Sequence, residues 1–175
     1  FPKKLNSETR VLFIMHGLKP RRPDRNMESW LSWASRYNYV LVGPQFDEEN
    51  WAKSRSYTLG NLFTGNEGKG DPNPIQNWSF QIVENIFSVL QNGVDSSIGY
   101  YDMFGHSSGA QFVQRFTFFV PSSRIRLAIA ANAGWYTLPD LNTKFPYGLK
   151  HPKLNLTDAH LESWSKKYLL IMRGT

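Results

Sequence analysis

Cysteine is absent from the 175-residue chain. Without it the protein has no disulfide bond, no thiol nucleophile and no thiolate ligand for a metal ion, although the absence does not indicate a compartment. Long apolar runs are also missing, and no stretch approaches the roughly 18 consecutive apolar residues of a membrane-spanning helix. We therefore predict no membrane span, and any chemistry must come from side chains other than cysteine.

Long runs of like charge are missing as well. The net charge is +6, which would suit a nucleic-acid-binding protein if the positive charges were concentrated. The basic residues instead form small separate groups, at Lys3-Lys4, Arg21-Arg22-Arg25, Arg124-Arg126 and Lys166-Lys167. We predict a solvated basic surface and no nucleic-acid partner.

Residues that could bind a metal ion are scattered along the chain. The four histidines do not cluster, and in the absence of cysteine no zinc site is predicted. Asp71 and Asn73 lie in one loop, but they supply too few oxygen ligands for calcium. We predict no bound metal.

Apolar residues are plentiful, at 41% of the chain, and aromatic residues reach 15%. This composition is typical of a packed core, and the length suits one domain over residues 1–175. Five apolar runs, bounded by Gly or Pro and not alternating with polar residues, predict strands of a parallel sheet covered on both faces. The runs are 10–17, 39–46, 98–105, 125–135 and 168–175.

Segments with helical spacing separate these runs, at 27–37, 78–93 and 108–120. Helices that alternate with buried strands predict an α/β fold with a mostly parallel sheet flanked by helices. The segment 57–74 is rich in Gly, Asn and Pro and is long for a connection. Such a segment is typical of a lid or a binding loop, or it is simply mobile.

The segment from Gly105 to Gly109, with sequence GHSSG, matches the pattern G-x-S-x-G with Ser107 at its centre. A predicted strand precedes it and a predicted helix follows, which is the context of a nucleophile elbow. Residues two before and two after the nucleophile must be small, because larger side chains would collide across the sharp turn. We predict Ser107 as a nucleophile; the alternative is an ordinary turn or N-cap serine.

A second element supports this prediction. An oxyanion hole needs one N–H from the residue after the nucleophile, here Ser108, and one from a strand–helix loop. The first predicted strand ends in His16-Gly17, so Leu18 is the simplest second donor, and Gly17 would let the backbone approach a substrate closely. We expect His16 to hold this loop by hydrogen bonds and not to take part in the chemistry.

Four stretches, FIMHG, VLVGPQF, GHSSGAQFVQRF and ANAGWYTLP, together resemble the α/β-hydrolase superfamily. They are most similar to the hydrolases grouped with polyhydroxyalkanoate-depolymerase-like and feruloyl-esterase-like enzymes, and the resemblance spans essentially the whole chain. It implies hydrolysis of a small or polymeric carboxylic ester through an acyl-enzyme on Ser107, without a cofactor. Because the superfamily also contains peptidases and non-catalytic members, a peptidase and a binding module remain open.

The resemblance also implies where the rest of a catalytic triad would lie. In this superfamily the order is Ser, then an acid, then His. The acid usually follows the strand that 168–175 resembles, and the histidine follows one further strand. We therefore expect both beyond Thr175, and we expect the chain to lack the last strand or strands and the last helix of the fold and to be nearly inactive alone.

Residues within the chain are weaker candidates for the acid and the base. Asp140 follows a predicted strand and is the best internal acid, although an exposed loop aspartate is the favoured interpretation. His106 adjoins Ser107, but successive residues of an elbow point in different directions. His151 and His160 precede the last predicted strand and are interpreted as surface histidines.

Aromatic residues near the motif suggest a pocket. Trp135 and Tyr136 follow a predicted strand and, together with 57–74, are expected to wall a pocket for an apolar or aromatic acyl group. Packing of both aromatic residues in the core is an equally supported alternative.

Overall fold

A computed structural model describes residues 5–6, 8–19, 21–93 and 97–174, without the side chains of Lys53 and Ser54. The basic pair Lys3-Lys4 and Thr175, the last residue of a predicted strand, lie outside the described residues.

The described strands form one all-parallel sheet in the order β2-β1-β3-β4-β5. This confirms the predicted α/β fold, with strands shorter than the apolar runs that indicated them. The strands are β1 (Arg10–Met15), β2 (Tyr39–Val42), β3 (Tyr101–His106), β4 (Ile125–Ala131) and β5 (Tyr168–Met172).

Helices connect the strands and cover both faces of the sheet. They are α1 (Pro23–Glu28), α2 (Leu31–Arg36), α3 (Lys53–Ser56), α4 (Ser79–Gly93), α5 (Ser108–Phe119) and α6 (Asp158–Ser165), with two short 3-10 helices at Asn66–Gly68 and Ile75–Asn77. The helix predicted over 27–37 is wrong as a single element. It is split into α1 and α2, because Pro23 starts a helix earlier and the break brings the Trp30 ring to 4.9 Å from that of Phe104.

The two faces of β1 bury alternate residues against different helices. Val11, Phe13 and Met15 belong to the large core that contains residues of α4 and α5. Leu12 and Ile14 pack on the other face, in a smaller cluster with residues of α1 and α2. Burial on both faces explains why this strand is a continuous apolar run in the sequence.

β5 is the outermost described strand on its side of the sheet. Its side chains include large apolar groups that are 48% exposed or more, at Tyr168, Leu170, Ile171 and Met172. Such a strand presents unpaired backbone groups and apolar surface together, which is unusual for an edge.

None of the described helices is both long and apolar enough to cross a membrane.

Candidate active site

The loops that carry the predicted site residues leave the sheet side by side. β1 and β3 are paired, with Met15 opposite Gly105, so the backbone continues from both strands at the same edge of the sheet. The segments 16–18 and 106–108 therefore follow neighbouring strands, at the carboxyl ends where parallel sheets bind their ligands.

Ser107 has an unusual backbone conformation. Its φ of 57° and ψ of −119° lie in a region that residues with a side chain rarely adopt, at a cost of about 1–3 kcal/mol. The residue occupies the N-cap of α5, and its N–H donates a hydrogen bond of 3.0 Å to the carbonyl oxygen of Ala131. Within the described part of the chain its hydroxyl has no hydrogen-bond partner, and the residue is half-buried.

The two glycines that flank Ser107 leave no room for a side chain. A Cβ atom on Gly105 would lie 2.2 Å from the carbonyl oxygen of Gly109. A Cβ atom on Gly109 would lie 2.2 Å from the carbonyl oxygen of Met15, in β1. Both contacts are far inside van der Waals distance and involve backbone atoms, so β1, β3 and α5 approach this closely only because both residues are glycine.

The predicted oxyanion donors lie on the two adjacent segments. Ser108 is the first residue of the 12-residue helix α5, where free N–H groups and the helix dipole favour negative charge. Leu18 is 36% exposed, in the loop after β1. A Cβ on Gly17 would meet no atom within 4 Å, so the protein itself leaves the space beside this residue open.

His16 is fully buried, and both of its ring nitrogens are engaged. Nε2 accepts a hydrogen bond of 3.1 Å from the N–H of Phe46, so the proton is on Nδ1, which donates to the carbonyl oxygen of Gly17 at 2.6 Å. Burial, the largest cause, lowers the pKa of the imidazole and favours this neutral form. The ring has no free nitrogen to receive a proton from Ser107.

Tyr57 is a site residue that the sequence did not indicate beyond placing it at the start of a long loop. It is fully buried, its ring stacks on His16 at 4.5 Å, and its hydroxyl donates to the carbonyl oxygen of His16 at 2.7 Å. Burial raises the pKa of the phenol well above its usual value, so the group stays a donor. Tyr57 therefore holds the loop that carries Leu18.

The interpretation of the basic groups as solvated surface is wrong for Arg21 and Arg124, which are half-buried, whereas Arg126 stays exposed. Arg21 Nη1 donates to three carbonyl oxygens, those of Phe46, Asp47 and Trp51, and ties the segment after β2 to the loop after β1. Arg124 and Arg126 make ion pairs with largely buried carboxylates, Glu84 and Asp102. Their partners are remote in sequence, and charge grouping along the chain does not reveal them.

Arg115 was also missed. The side chain is fully buried in α5, on the helical face that it shares with Gln111 and Ser107, since the three are spaced by four residues. Nε donates to the hydroxyl of Thr137 at 2.9 Å and Nη1 to the carbonyl oxygen of Thr58 at 3.0 Å. Among the described residues Nη2 has no partner, and burial lowers the pKa of the guanidinium to about 9.

Trp135 lies over Arg115, with the guanidinium carbon 3.9 Å from the ring centroid. It is half-buried and packs on Tyr147 at 5.0 Å. The Tyr136 hydroxyl turns back towards the preceding strand and donates to the carbonyl oxygen of Ala130, in β4, at 3.3 Å. A pocket formed by Trp135 and Tyr136 stays a prediction.

The segment 57–74 is packed against the rest of the molecule through its apolar residues. Leu59, Leu62 and Phe63 are buried, and Phe63 forms an isolated antiparallel bridge with Pro72. Its action as a lid or a binding loop remains a prediction.

The other three histidines have contacts away from Ser107. His106 is exposed, with Nε2 3.4 Å from the amide nitrogen of Asn132. His151 is half-buried: Nε2 lies 2.7 Å from the carbonyl oxygen of Gly68, while Nδ1 accepts from the N–H of Lys153. His160 is exposed and forms a capping box with Thr157 at the start of α6. In the described part of the chain no histidine is hydrogen-bonded to Ser107.

Asp140 closes a turn. Its carboxylate accepts hydrogen bonds from the Thr143 hydroxyl at 2.5 Å and the Asn142 N–H at 2.8 Å, and the Thr143 bond is the main cause that lowers its pKa. Both carboxylate oxygens are thus engaged within the loop. Across the described residues no group of three His, Cys, Asp or Glu could hold a metal ion.

Solved structures identify this fold. Over 99% of its length the chain superposes on poly(aspartic acid) hydrolase-1 from Sphingomonas sp. KT-1, with 36% identity and a TM-score of 0.91. It superposes equally fully on the poly(3-hydroxybutyrate) depolymerase from Bordetella parapertussis, with 30% identity and a TM-score of 0.86. The chain has the α/β-hydrolase fold. The resemblance of this α/β-hydrolase-fold chain to depolymerase-like hydrolases is confirmed.

A more distant structure shows the same fold. The S-formylglutathione hydrolase from Staphylococcus aureus matches at 13% identity and a TM-score of 0.53, over 98% of this chain and 67% of that one. The α/β-hydrolase-fold chain spans 64% of the Sphingomonas protein and 58% of the Bordetella protein. No family model and no curated protein sequence matches it.

Proposed function

We propose that the chain carries the nucleophile of a serine hydrolase that cleaves carboxylic esters through an acyl-enzyme on Ser107. One observation carries the proposal: Ser107 is held in a strained backbone conformation at the N-terminus of α5, between two glycines that cannot accept a Cβ. A serine that merely capped a helix would not need this strain. A binding module without chemistry would have no use for it either.

The proposed reaction uses three groups of this chain, the Ser107 hydroxyl and the N–H groups of Ser108 and Leu18. Ser107 Oγ attacks the ester carbonyl carbon, and a general base takes the hydroxyl proton. The oxygen that becomes negative accepts hydrogen bonds from the N–H groups of Ser108 and Leu18, aided by the dipole of α5. The tetrahedral intermediate then expels the alcohol, which takes up the proton, and water hydrolyses the acyl-enzyme.

The proposal requires a general base, and the described contacts of the four histidines do not supply one to Ser107. Without a base a serine hydroxyl is a poor nucleophile at neutral pH. The experiments below are therefore made on the full natural gene product that contains this chain.

Two similar structures suggest the class of substrate. One is a hydrolase of poly(aspartic acid), a polyamide, and the other is a depolymerase of poly(3-hydroxybutyrate), a polyester. We propose a polymeric ester as the substrate. Cleavage of a polyamide is the second candidate, which the 36% identity to the Sphingomonas protein favours.

Covalent labelling tests the nucleophile. A fluorophosphonate should form one adduct, which mass spectrometry of the peptides locates on Ser107, and Ser107→Ala should abolish it. Ser122→Ala removes an exposed hydroxyl elsewhere and should keep the label. A wild-type protein that stays unlabelled would contradict the proposal, and so would an adduct on another serine.

Product analysis separates the two substrate classes. Release of 3-hydroxybutyrate oligomers from a poly(3-hydroxybutyrate) film, with no cleavage of poly(aspartic acid), supports the ester. The opposite pattern supports the polyamide.

A further inference from the structure

A cavity of about 870 Å³ lies at the amino ends of β1, β2 and β3, whereas Ser107 lies at the carboxyl ends of the strands. No step of the proposed reaction uses it. Its lining includes guanidinium groups and aromatic rings, at Arg10, Trp33, Arg36, Tyr37, Tyr100 and Arg126.

Three aromatic residues of this cavity are exposed, whereas Tyr39 and Tyr101 are buried. Trp33 is 37% exposed, Tyr37 52% and Tyr100 66%. The Trp33 ring is fixed between neighbours, with its centroid 5.4 Å from that of Tyr37 and 4.6 Å from that of Tyr39. Rigid aromatic surface of this kind is enriched where proteins contact ligands and partners.

Arg126 is fixed at the base of the cavity by a buried carboxylate. Its Nε and Nη2 donate to the two oxygens of Asp102, at 2.9 and 2.5 Å, and the Tyr39 hydroxyl also donates to that carboxylate. Asp102 is only 5% exposed, whereas the Arg126 side chain remains 42% exposed. The Asp102 carboxylate is thus fully paired, and the Arg126 guanidinium still faces the cavity.

Arg10 and Arg36 are the cations without an acid. Neither makes an ion pair with any residue that the structure describes. Their guanidinium carbons lie 6.0 Å from the Tyr39 ring centroid and 5.6 Å from that of Tyr37, at the range of cation–π contacts. Among the described lining residues Glu8 is the only acid besides Asp102, against three arginines, so the charge that these residues give the cavity is positive.

We propose that this cavity is a second binding site, for a segment of a carboxylate-bearing polymer. Guanidinium groups bind carboxylates in a fork geometry, and the rings offer apolar surface to the polymer backbone. The cavity and Ser107 lie at opposite ends of the strands, about 20 Å apart along the six-residue strand β1. A small ester cannot span this distance, whereas a polymer can. Attachment here raises the local concentration of such a polymer at Ser107. Because poly(3-hydroxybutyrate) has no carboxylate along its chain, this role rests on the second candidate of the proposed function, cleavage of a polyamide such as poly(aspartic acid).

Binding measurements on Ser107→Ala, which does not consume the ligand, test the site. The probe is poly(aspartic acid) of about 30 residues, which is long enough to reach from the cavity to Ser107. It is titrated by calorimetry at low ionic strength. We expect Arg10→Gln/Arg36→Gln to weaken binding by about tenfold or more, because two charged donors are lost. The matched control is Arg25→Gln/Lys144→Gln, which removes the same charge at exposed positions outside the cavity.

The outcomes are distinct. Weakening confined to Arg10→Gln/Arg36→Gln supports the site. An equal loss in both double variants would mean general attraction of a polyanion to a basic protein, and it would overturn the proposal, as would unchanged binding in both. Labelling of Ser107 is scored separately, so a failure of the proposed chemistry leaves this result readable.

Discussion

The hydroxyl of Tyr57 donates a 2.7 Å hydrogen bond to the carbonyl oxygen of His16, and the two rings stack with their centroids 4.5 Å apart. The bond orients the peptide that joins His16 to Gly17, one residue before the proposed Leu18 donor. The next peptide, which joins Gly17 to Leu18 and carries the proposed donor, is held where His16 Nδ1 donates to the carbonyl oxygen of Gly17. The position and direction of the proposed oxyanion donor thus depend on a residue 41 positions further along the chain.

Tyr57→Phe should lower kcat for ester hydrolysis by about tenfold, because a loosened loop places the Leu18 N–H less accurately. The free energy of unfolding should fall by only about 1 kcal/mol, the usual contribution of one hydrogen bond. Steady-state kinetics and urea denaturation measure both quantities.

The control for Tyr57→Phe is Tyr101→Phe, which removes a buried hydroxyl bonded to Glu84 at the other end of the sheet. It should lower stability by a similar amount and leave kcat unchanged. Equal values of kcat in the two variants would refute the role given to Tyr57.

Gly105→Ala and Gly109→Ala should each destabilise the protein by about 1–3 kcal/mol or prevent folding, because the new methyl group meets backbone oxygen at 2.2 Å. Gly99→Ala serves as the control, since its methyl group would meet no atom within 4 Å. Thermal or urea denaturation measures the effect. If all three variants proved equally stable, the steric account of the motif would be wrong.

The burial of His16 predicts a pH dependence of stability. Its pKa is lowered in the folded state, so below the unfolded value of about 6.5 the unfolded chain binds a proton that the folded protein does not. Stability is therefore intact above this pH and falls by up to about 1.4 kcal/mol per unit as the pH decreases towards the folded pKa. Urea denaturation from about pH 7.5 to about pH 5, which spans the unfolded pKa of about 6.5, measures the slope.

His16→Gln should flatten that slope, because glutamine does not titrate. His160→Gln removes an exposed histidine and should keep the slope of the wild type. A His16→Gln protein with the original slope would assign the pH dependence to another group.

Arg115→Met should increase hydrogen exchange in the segment 134–138, because the fork that joins Thr58 and Thr137 to α5 is lost together with the contact to Trp135. The cost to stability should be about 1–3 kcal/mol, the price of leaving buried acceptors unpaired. Arg115→Lys keeps the charge without the planar fork. In this variant the segment 134–138 should exchange nearly as fast as in Arg115→Met. Exchange at the wild-type rate in both variants would show that the segment is held by other contacts.

Much of this architecture could be predicted from local patterns. β1 after Arg10 and β4 after Arg126 are continuous apolar runs because both faces of the sheet are covered. The G-x-S-x-G stretch could be placed between a strand and a helix because both have recognisable patterns. The split of 27–37 into α1 and α2 could not, because an early proline and the packing of Trp30 on Phe104 outweigh helical spacing.

By itself, the sequence determined the parallel sheet, the order of its elements and the position of Ser107 among small residues. These features follow from the type and spacing of residues that are close together in the chain. Only the tertiary structure decided the roles of Tyr57, Arg21 and Arg115, whose polar groups bond to backbone that is 25 to 57 residues away. Such partners leave no periodic trace in the chain, because a single long-range hydrogen bond depends on how distant segments meet.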